Sequence, residues 1–180
     1  MCQRLTKQIL VITCLIVSLQ FISIGHANEL PRGIIQLDGG IAENFTIEDS
    51  DGNTYELDQS KGRWVFLHFW ASWCGPCRKE MPIIHQLETQ FKDQPIDIVL
   101  INVAEDEETI FSFLGTVASD LQSYMDKDGE LAEIYAPRGL PTTFFIDPAG
   151  KKRYRALGGR HWTKPQYQAF LKSLFDTLPE

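Results

Sequence analysis

Short, nearly continuous apolar runs predict the strands of a buried sheet. Residues 64–70 are apolar at every position except His68, which is typical of a central strand covered on both faces. Residues 96–103 form a second such run, which follows a turn signal at residues 93–95. Shorter runs predict further strands at residues 121–125, 142–146 and 153–157.

Apolar residues at helical spacing predict four helices. In residues 74–91 they recur at intervals of three or four positions and should face the sheet, whereas Glu80 should be turned elsewhere. Pro82 lies inside this segment and should kink the helix. The same spacing predicts further helices at residues 106–117, 130–135 and 164–178.

Turn signals complete the predicted architecture. Residues 45–48 and 54–57 alternate between apolar and polar on either side of a turn that contains Asp51-Gly52, which indicates a β-hairpin. The last two predicted strands also form a hairpin, so the sheet is mixed. Residues 28–40 contain Pro31 and three glycines and predict a loose lead-in. The fold class is therefore one α/β domain at residues 41–180, with a central mixed β-sheet flanked by helices and an N-terminal β-hairpin extension.

The N-terminal residues have the order of a secretory signal. Arg4 and Lys7 precede an apolar run at residues 9–24, and small residues stand on either side of His26, before the expected cleavage site. The run contains Thr, Ser and Gln side chains and is short for a membrane-spanning helix, which needs about 20 apolar residues. We expect a signal peptide at residues 1–27 and a soluble periplasmic or extracytoplasmic product. An uncleaved membrane anchor is the alternative.

Removal of this segment changes what the composition implies. Residues 1–27 hold two basic and no acidic side chains, so the formal net charge of −7 becomes −9 for the remainder. Such an acidic domain repels nucleic acid and anionic lipid, which argues against both as ligands. Cleavage would also remove Cys2 and Cys14 and leave Cys74 and Cys77 as the only thiols in an oxidising compartment. This pattern favours a chemical use of the remaining pair.

Cys74 and Cys77 stand two residues apart, after a predicted strand and at a predicted helix start. A Cys-x-x-Cys segment in this setting is typical of a redox pair that forms and breaks a small disulfide ring. The unpaired N–H groups of the helix N-terminus favour a thiolate at Cys74, which makes it the nucleophile, and Cys77 the resolving thiol. Half of a zinc site is the alternative, but the second ligand pair that zinc needs is lacking.

The segment HFWASWCGPCRKEMP, residues 68–82, closely resembles the thioredoxin superfamily. More narrowly, it is similar to the TlpA/ResA-like extracytoplasmic thiol–disulfide oxidoreductases. Pro82 falls five residues after Cys77, as in thioredoxins, and residues 139–144 (GLPTTF) resemble the family's cis-proline loop. The hairpin at residues 45–57 resembles the N-terminal extension of this branch. The resemblance covers nearly all of the chain beyond the signal and implies a thioredoxin-like fold.

The resemblance also implies roles for individual residues. Cys74 attacks a substrate disulfide, and Cys77 then releases the mixed disulfide. Pro141 would follow a cis peptide bond, and Leu140 would offer its backbone to an extended substrate strand. The remaining expected substrate-binding residues are Trp73, Gly75 and Pro76. Neither a metal nor another cofactor is implied.

Two titratable residues are candidates for proton transfer. His68 occupies the position, six residues before Cys74, at which thioredoxins carry a buried acid. It is either a hydrogen-bonded core histidine or a proton relay for Cys77. Glu105 follows the second predicted strand, and in TlpA/ResA-like proteins a glutamate at this point lies near the thiols. It is either a proton-transfer group with a raised pKa or one acid of a solvated helix start.

These features predict an extracytoplasmic thiol–disulfide oxidoreductase that reduces protein disulfides. Its expected partners are a disulfide-containing protein substrate and a membrane-bound thiol electron donor, and the resemblance implies a setting such as cytochrome c maturation. A disulfide-forming oxidase with the same motif is one alternative, because direction depends on the reduction potential. A thiol-based copper or zinc chaperone is another, although no Met or His ligand stands close to the motif.

Overall fold

A six-stranded mixed sheet lies at the centre of residues 29–176, the part of the chain that the computed structural model describes. The strands are β1 (Ile34–Gln36), β2 (Thr46–Glu48), β3 (Thr54–Glu56), β4 (Trp64–Trp70), β5 (Ile96–Val103), β6 (Tyr124–Asp126), β7 (Thr142–Ile146) and β8 (Lys152–Leu157). The helices are α1 (Gly75–Phe91), α2 (Glu107–Val117), α3 (Glu130–Tyr135) and α4 (Pro165–Phe175). A short 3₁₀-helix at Leu57–Ser60 follows β3.

β4 is a central strand of the sheet, whose order is β1-β8-β7-β4-β5-β6. It pairs in parallel with β5 and antiparallel with β7, and all of its residues are buried, as its continuous apolar run predicts. β5 pairs in parallel with β6, so α1 and α2 are crossover helices on the same face of the sheet. The carboxyl ends of β4 and β5 meet at one edge, where Trp70 lies opposite Asn102.

The alternating side chains of β4 separate two hydrophobic cores. One core packs β4 against α1, α2 and α4, and the other packs it against α3 and the β2–β3 hairpin. The first core contains Trp64, Phe66 and Trp70 of β4, and the second contains Val65, Leu67 and Phe69. Because Cys74 and Cys77 belong to the first core, the start of α1 is held against the sheet.

The predicted N-terminal hairpin is confirmed as β2 and β3. Its turn is organised by the Asp49 carboxylate, which accepts the backbone N–H groups of Asp51 and Asn53 at 2.9 and 2.8 Å. An isolated antiparallel bridge between Asp49 and Tyr124 joins the hairpin to β6. The hairpin therefore covers the face of the sheet opposite α1.

The differences from the sequence predictions concern short elements. β1 lies inside residues 28–40, where the Gly and Pro content predicts a loose lead-in. Only Ile34 of its three residues is buried, so no alternation marks this strand, and its pairing with β8 supplies its structure. The strand predicted at residues 121–125 is displaced to β6. Helix α1 runs through Pro82 as one element, as its predicted span requires, and the kink at Pro82 stays a prediction.

The lead-in is tied to the domain before β1 begins, since the Tyr167 hydroxyl donates to the carbonyl of Arg32 at 3.0 Å. The predicted signal peptide at residues 1–27 lies outside the described residues, as do residues 177–180. Within residues 29–176, none of the helices has the length and apolar character needed to cross a membrane.

Candidate active site

The two cysteines form a disulfide at the start of α1. A turn carries the chain from β4 to this helix, and the Cys74 N–H donates to the carbonyl of Ala71 at 3.2 Å. Cys74 is the N-cap of α1, and its sulfur accepts the Cys77 N–H at 3.2 Å. The Cα atoms of the pair are 5.2 Å apart. Cys74 is therefore the sulfur placed at the positive end of the helix dipole, as the sequence predicts.

The two sulfurs differ in access to solvent. Cys77 has no exposed surface and Cys74 retains 4% exposure, so only Cys74 has any contact with the exterior. The neighbouring Trp73 is 70% exposed, and Gly75 and Pro76 are also exposed. The structure brings these five residues together in one turn. This arrangement suits attack at Cys74 and resolution by Cys77, while the substrate-binding role of the other three stays a prediction.

The peptide bond between Leu140 and Pro141 is cis, as the resemblance implies. The next residue, Thr142, lies opposite Phe69 of β4, so the bond is beside the end of β4 from which the cysteine turn continues. The Pro141 carbonyl accepts the Gly158 N–H at 2.8 Å, which joins this loop to the end of β8. Leu140 is half-buried and packs against the core that contains both cysteines. Their contacts with a substrate stay a prediction.

Glu105 reaches back to the turn that precedes Cys74. Its carboxylate accepts the Ser72 N–H at 2.7 Å and the Ser72 hydroxyl at 2.5 Å. The Asn102 side chain donates to the same carboxylate at 2.7 Å. Glu105 is therefore half-buried at the active-site edge of the sheet and is bound to the cysteine turn. This environment differs from the solvated helix start that was the alternative for Glu105. Proton transfer by Glu105 stays a prediction.

His68 is a fully buried residue of β4. Its Nδ1 atom lies 2.9 Å from the Thr143 hydroxyl, and its ring stacks on Phe66. Burial lowers the pKa of His68 to about 3, so the imidazole is neutral at physiological pH. These contacts are those of a hydrogen-bonded core histidine. A relay through His68 would have to use the neutral ring, and this role stays a prediction.

Glu80 is a buried carboxyl group, although the sequence predicts that it turns away from the sheet. It is 2% exposed, and its Oε1 atom accepts the Trp162 indole N–H at 2.5 Å and the Arg160 backbone N–H at 3.1 Å. Its Oε2 atom is buried without a hydrogen-bond partner in the described structure. Burial raises the pKa of Glu80 to about 8. Glu80 therefore carries or exchanges a proton near neutral pH.

A cavity of about 500 Å³ opens beside Glu80 and the start of α1. Pro76, Ile83 and Tyr167 line it together with Glu80, and its cationic residues are Lys79, Arg160 and Lys164. Gly159 keeps this region open, because a Cβ atom there would lie 3.3 Å from the Pro76 carbonyl and 3.4 Å from Glu80 Oε2. The lining of the cavity therefore includes both Pro76 of the redox turn and the buried carboxyl of Glu80.

The sequence contains one signal for Glu80 that the apolar spacing hides. Residues three apart on a helix share a face, so a side chain three residues after the buried Cys77 faces the core. The partners of Glu80, however, lie 80 and 82 positions later in the chain, which local sequence patterns do not report. The apolar residues Met81 and Ile84 mark the buried face of α1, but an apolar pattern does not report that the acidic Glu80 also lies on this face.

The metal-binding alternative can be compared with the same geometry. In the described residues, no group of three or more His, Cys, Asp or Glu side chains is arranged to hold a metal ion. A copper or zinc chaperone would therefore rest on the two sulfurs of Cys74 and Cys77 alone. The neighbouring acids Glu80 and Glu105 instead accept hydrogen bonds. Their donors are Trp162 and Arg160 for Glu80, and Ser72 and Asn102 for Glu105.

Comparisons with known proteins agree with this geometry. The family model described as AhpC/TSA family matches residues 39–155. The thiol-disulfide oxidoreductase ResA of Bacillus subtilis is 39% identical over 114 residues, which cover 63% of this chain and 64% of that protein. ResA of Bacillus thuringiensis subsp. konkukian is 35% identical over 136 residues, or 76% of this chain and 78% of that protein.

A solved structure shows the same fold. The thioredoxin domain of a thiol-disulfide oxidoreductase from Bacteroides vulgatus superposes with a TM-score of 0.64 and 28% identity, covering 76% of this chain and 96% of that chain. The sheet, the cysteine pair at the helix start and these similarities define a thiol–disulfide oxidoreductase with a thioredoxin-like fold. More particularly, the chain belongs to the AhpC/TSA family, and its similarity to ResA proteins confirms the resemblance found in its sequence.

Proposed function

We propose that this protein reduces disulfides of extracytoplasmic polypeptides and is itself reduced again by a membrane-bound thiol donor. The observation that carries the proposal is the environment of the redox pair, in which Glu105 binds Ser72 of the cysteine turn and Glu80 is buried three residues after Cys77. A strong oxidant owes its potential to a stabilised reduced form with a low-pKa thiolate. A carboxylate beside the pair, such as that of Glu105, disfavours a thiolate because the two charges have the same sign. This supports an environment that favours the disulfide and makes the dithiol an electron donor.

The chemistry follows from the difference in access between the two sulfurs. The Cys74 thiolate attacks one sulfur of the substrate disulfide, and the other substrate sulfur leaves as a thiolate that takes up a proton. Cys77 then attacks the Cys74 sulfur, releases the second substrate thiol and closes the ring between Cys74 and Cys77. Two electrons pass from the protein to the substrate, and the donor later returns them. The cavity beside Pro76 accommodates the substrate segment during the exchange.

Glu80 supplies the proton transfer that these reaction steps need. Cys77 must lose a proton before it attacks, and Glu80 stands three residues later on the same face of α1. Because the pKa of Glu80 is raised to about 8, its carboxylate form is a base matched to a thiol near neutral pH. Its partner-free Oε2 is the atom that takes the proton. Neutral His68 adds no charge to this exchange.

The location and the physiological setting complete the proposal. The predicted signal at residues 1–27 supports export across a membrane, and the mature chain then keeps only the cysteines of the redox pair. Thiol delivery of the kind needed in cytochrome c maturation is the setting that the resemblance supports. An electron donor in the membrane is required, because an oxidising compartment does not regenerate a dithiol by itself.

Trapping of the mixed disulfide tests this sequence of events. Cys77→Ser removes the resolving thiol but keeps the nucleophile, so the reduced variant should accumulate a covalent complex with oxidised insulin that dithiothreitol dissolves. Non-reducing electrophoresis and mass spectrometry of the complex would measure it and place the bond at Cys74. The matched control, Cys74→Ser, should form little or no such complex. Equal trapping by both variants would contradict the assigned roles.

A further inference from the structure

Ser72 stands at the centre of the turn that carries the nucleophile. The bond between the Cys74 N–H and the Ala71 carbonyl closes this turn and places Ser72 immediately after its first residue. Ser72 has no place in the sulfur chemistry itself. Nevertheless, each of its polar groups is engaged by a residue from another part of the fold.

The contacts of Ser72 connect the turn with three elements. Its N–H and hydroxyl donate to the two carboxylate oxygens of Glu105, beyond the end of β5, at 2.7 and 2.5 Å. Its carbonyl accepts from Nη1 of Arg78, in the first turn of α1, at 3.2 Å. The Arg78 guanidinium also lies 4.8 Å from the centre of the Phe113 ring on α2. Ser72 is thus bound on both sides.

Glu105, which binds Ser72 from the end of β5, is itself held in place. Asn102 is fully buried and donates to the Glu105 carboxylate at 2.7 Å. Ala104 has a φ of 56°, a left-handed conformation that a residue with a Cβ rarely adopts, and its N–H donates to the Asp126 carbonyl at 2.9 Å. A strained residue persists only where its surroundings hold it, and such residues cluster at functional sites. Here it stands directly before the residue that binds Ser72.

We propose that Ser72 is a positioning residue of the redox centre, which keeps Cys74 in place for ring closure when the disulfide is reduced. In the oxidised protein the bond between Cys74 and Cys77 restrains the turn. In the dithiol that restraint is gone, and the contacts of Ser72 with Glu105 and Arg78 limit the freedom of the turn. Pre-ordering the reduced turn lowers the entropy lost when the ring closes. This inference concerns the cysteine pair itself and holds for either direction of electron flow.

Redox equilibrium of Ser72 variants tests the proposal. Ser72→Ala should lower the equilibrium constant for closing the ring against glutathione by about three- to tenfold, because the freed dithiol loses its pre-ordering. Ser72→Thr keeps the hydroxyl and should stay within about twofold of the unmodified protein. In the Ser72→Ala background, Glu105→Gln should change the constant less than it does alone, since the two residues act as a unit.

The same measurements separate positioning from a general effect on the fold. If Ser72 only stabilised the domain, its replacement would lower the free energy of unfolding equally in both redox states and leave the equilibrium constant unchanged. An unchanged constant in Ser72→Ala, or an equal loss in Ser72→Ala and Ser72→Thr, would overturn the proposal. The difference between variants does not depend on the absolute potential, so its failure is distinct from a failure of the reductase function.

Discussion

Replacing Cys74 by serine lowers the rate of insulin-disulfide reduction by the oxidoreductase by at least about a thousandfold, according to this account. A serine hydroxyl is not ionised near neutral pH and does not replace a thiolate in exchange with a disulfide. Cys77 cannot substitute, because it has no exposed surface behind the first turn of α1. The measurement is the turbidity of insulin reduced by dithiothreitol in the presence of each purified variant.

The control for this experiment lies in the same turn. Cys77→Ser should retain the first attack and form the mixed disulfide, which shows that a serine in this turn does not by itself prevent reaction with a disulfide. Circular dichroism of Cys74→Ser should show an unchanged fold. Reduction of insulin by Cys74→Ser at a rate near that of the unmodified protein would contradict the assignment of the nucleophile.

The second large effect is a dependence of stability on pH that Glu80 causes. Its pKa in the folded protein is raised from an ordinary value of 4.5 to about 8 by burial, so the native state holds this proton more tightly than the unfolded chain does. The stabilising effect of the proton is complete below pH 4.5 and is lost as the pH rises through 8. As the pH rises from 5 to 8, we expect the titration of Glu80 to lower the free energy of unfolding by roughly 2 to 4 kcal/mol.

Glu80→Gln removes this titration and keeps an oxygen that can accept from Trp162 and Arg160. The variant should therefore lose most of the decline in stability between pH 5 and pH 8, as measured by urea unfolding of the oxidised protein at each pH. Glu88→Gln is the matched control on the same helix, because the pKa of Glu88 is raised by burial as well but this residue is only half-buried. An unchanged slope in Glu80→Gln would contradict a buried, protonated Glu80.

The long elements and the redox pair could be predicted from the sequence because their signals are local. The apolar run of β4 and the helical spacing of α1 each report burial through neighbouring residues, and the cysteine spacing is contained in four positions. β1 gave no such signal, since it has three residues with only one buried. Its formation depends on the edge of β8, which is more than a hundred residues away.

The polar part of the site was less predictable because its partners are remote in the chain. The Thr143 partner of His68 and the Arg160 partner of Glu80 are 75 and 80 positions away. A charged residue on an apolar helix stripe is normally assigned to solvent, and only the tertiary contacts show that Glu80 is enclosed. Glu105 was recognised by resemblance, whereas its binding to Ser72 follows from the meeting of β4 and β5 at one edge.

The central claim is that the Cys74–Cys77 pair is a reductant, and its reduction potential tests that claim most directly. The purified domain is equilibrated with dithiothreitol or glutathione buffers, and the fraction of free thiol is measured by alkylation and mass spectrometry. The account predicts a reducing value at or below about −220 mV, in the range of glutaredoxins and thioredoxin. A value near −120 mV, typical of strongly oxidising disulfide-forming proteins, would contradict the reductase function and favour the oxidase alternative.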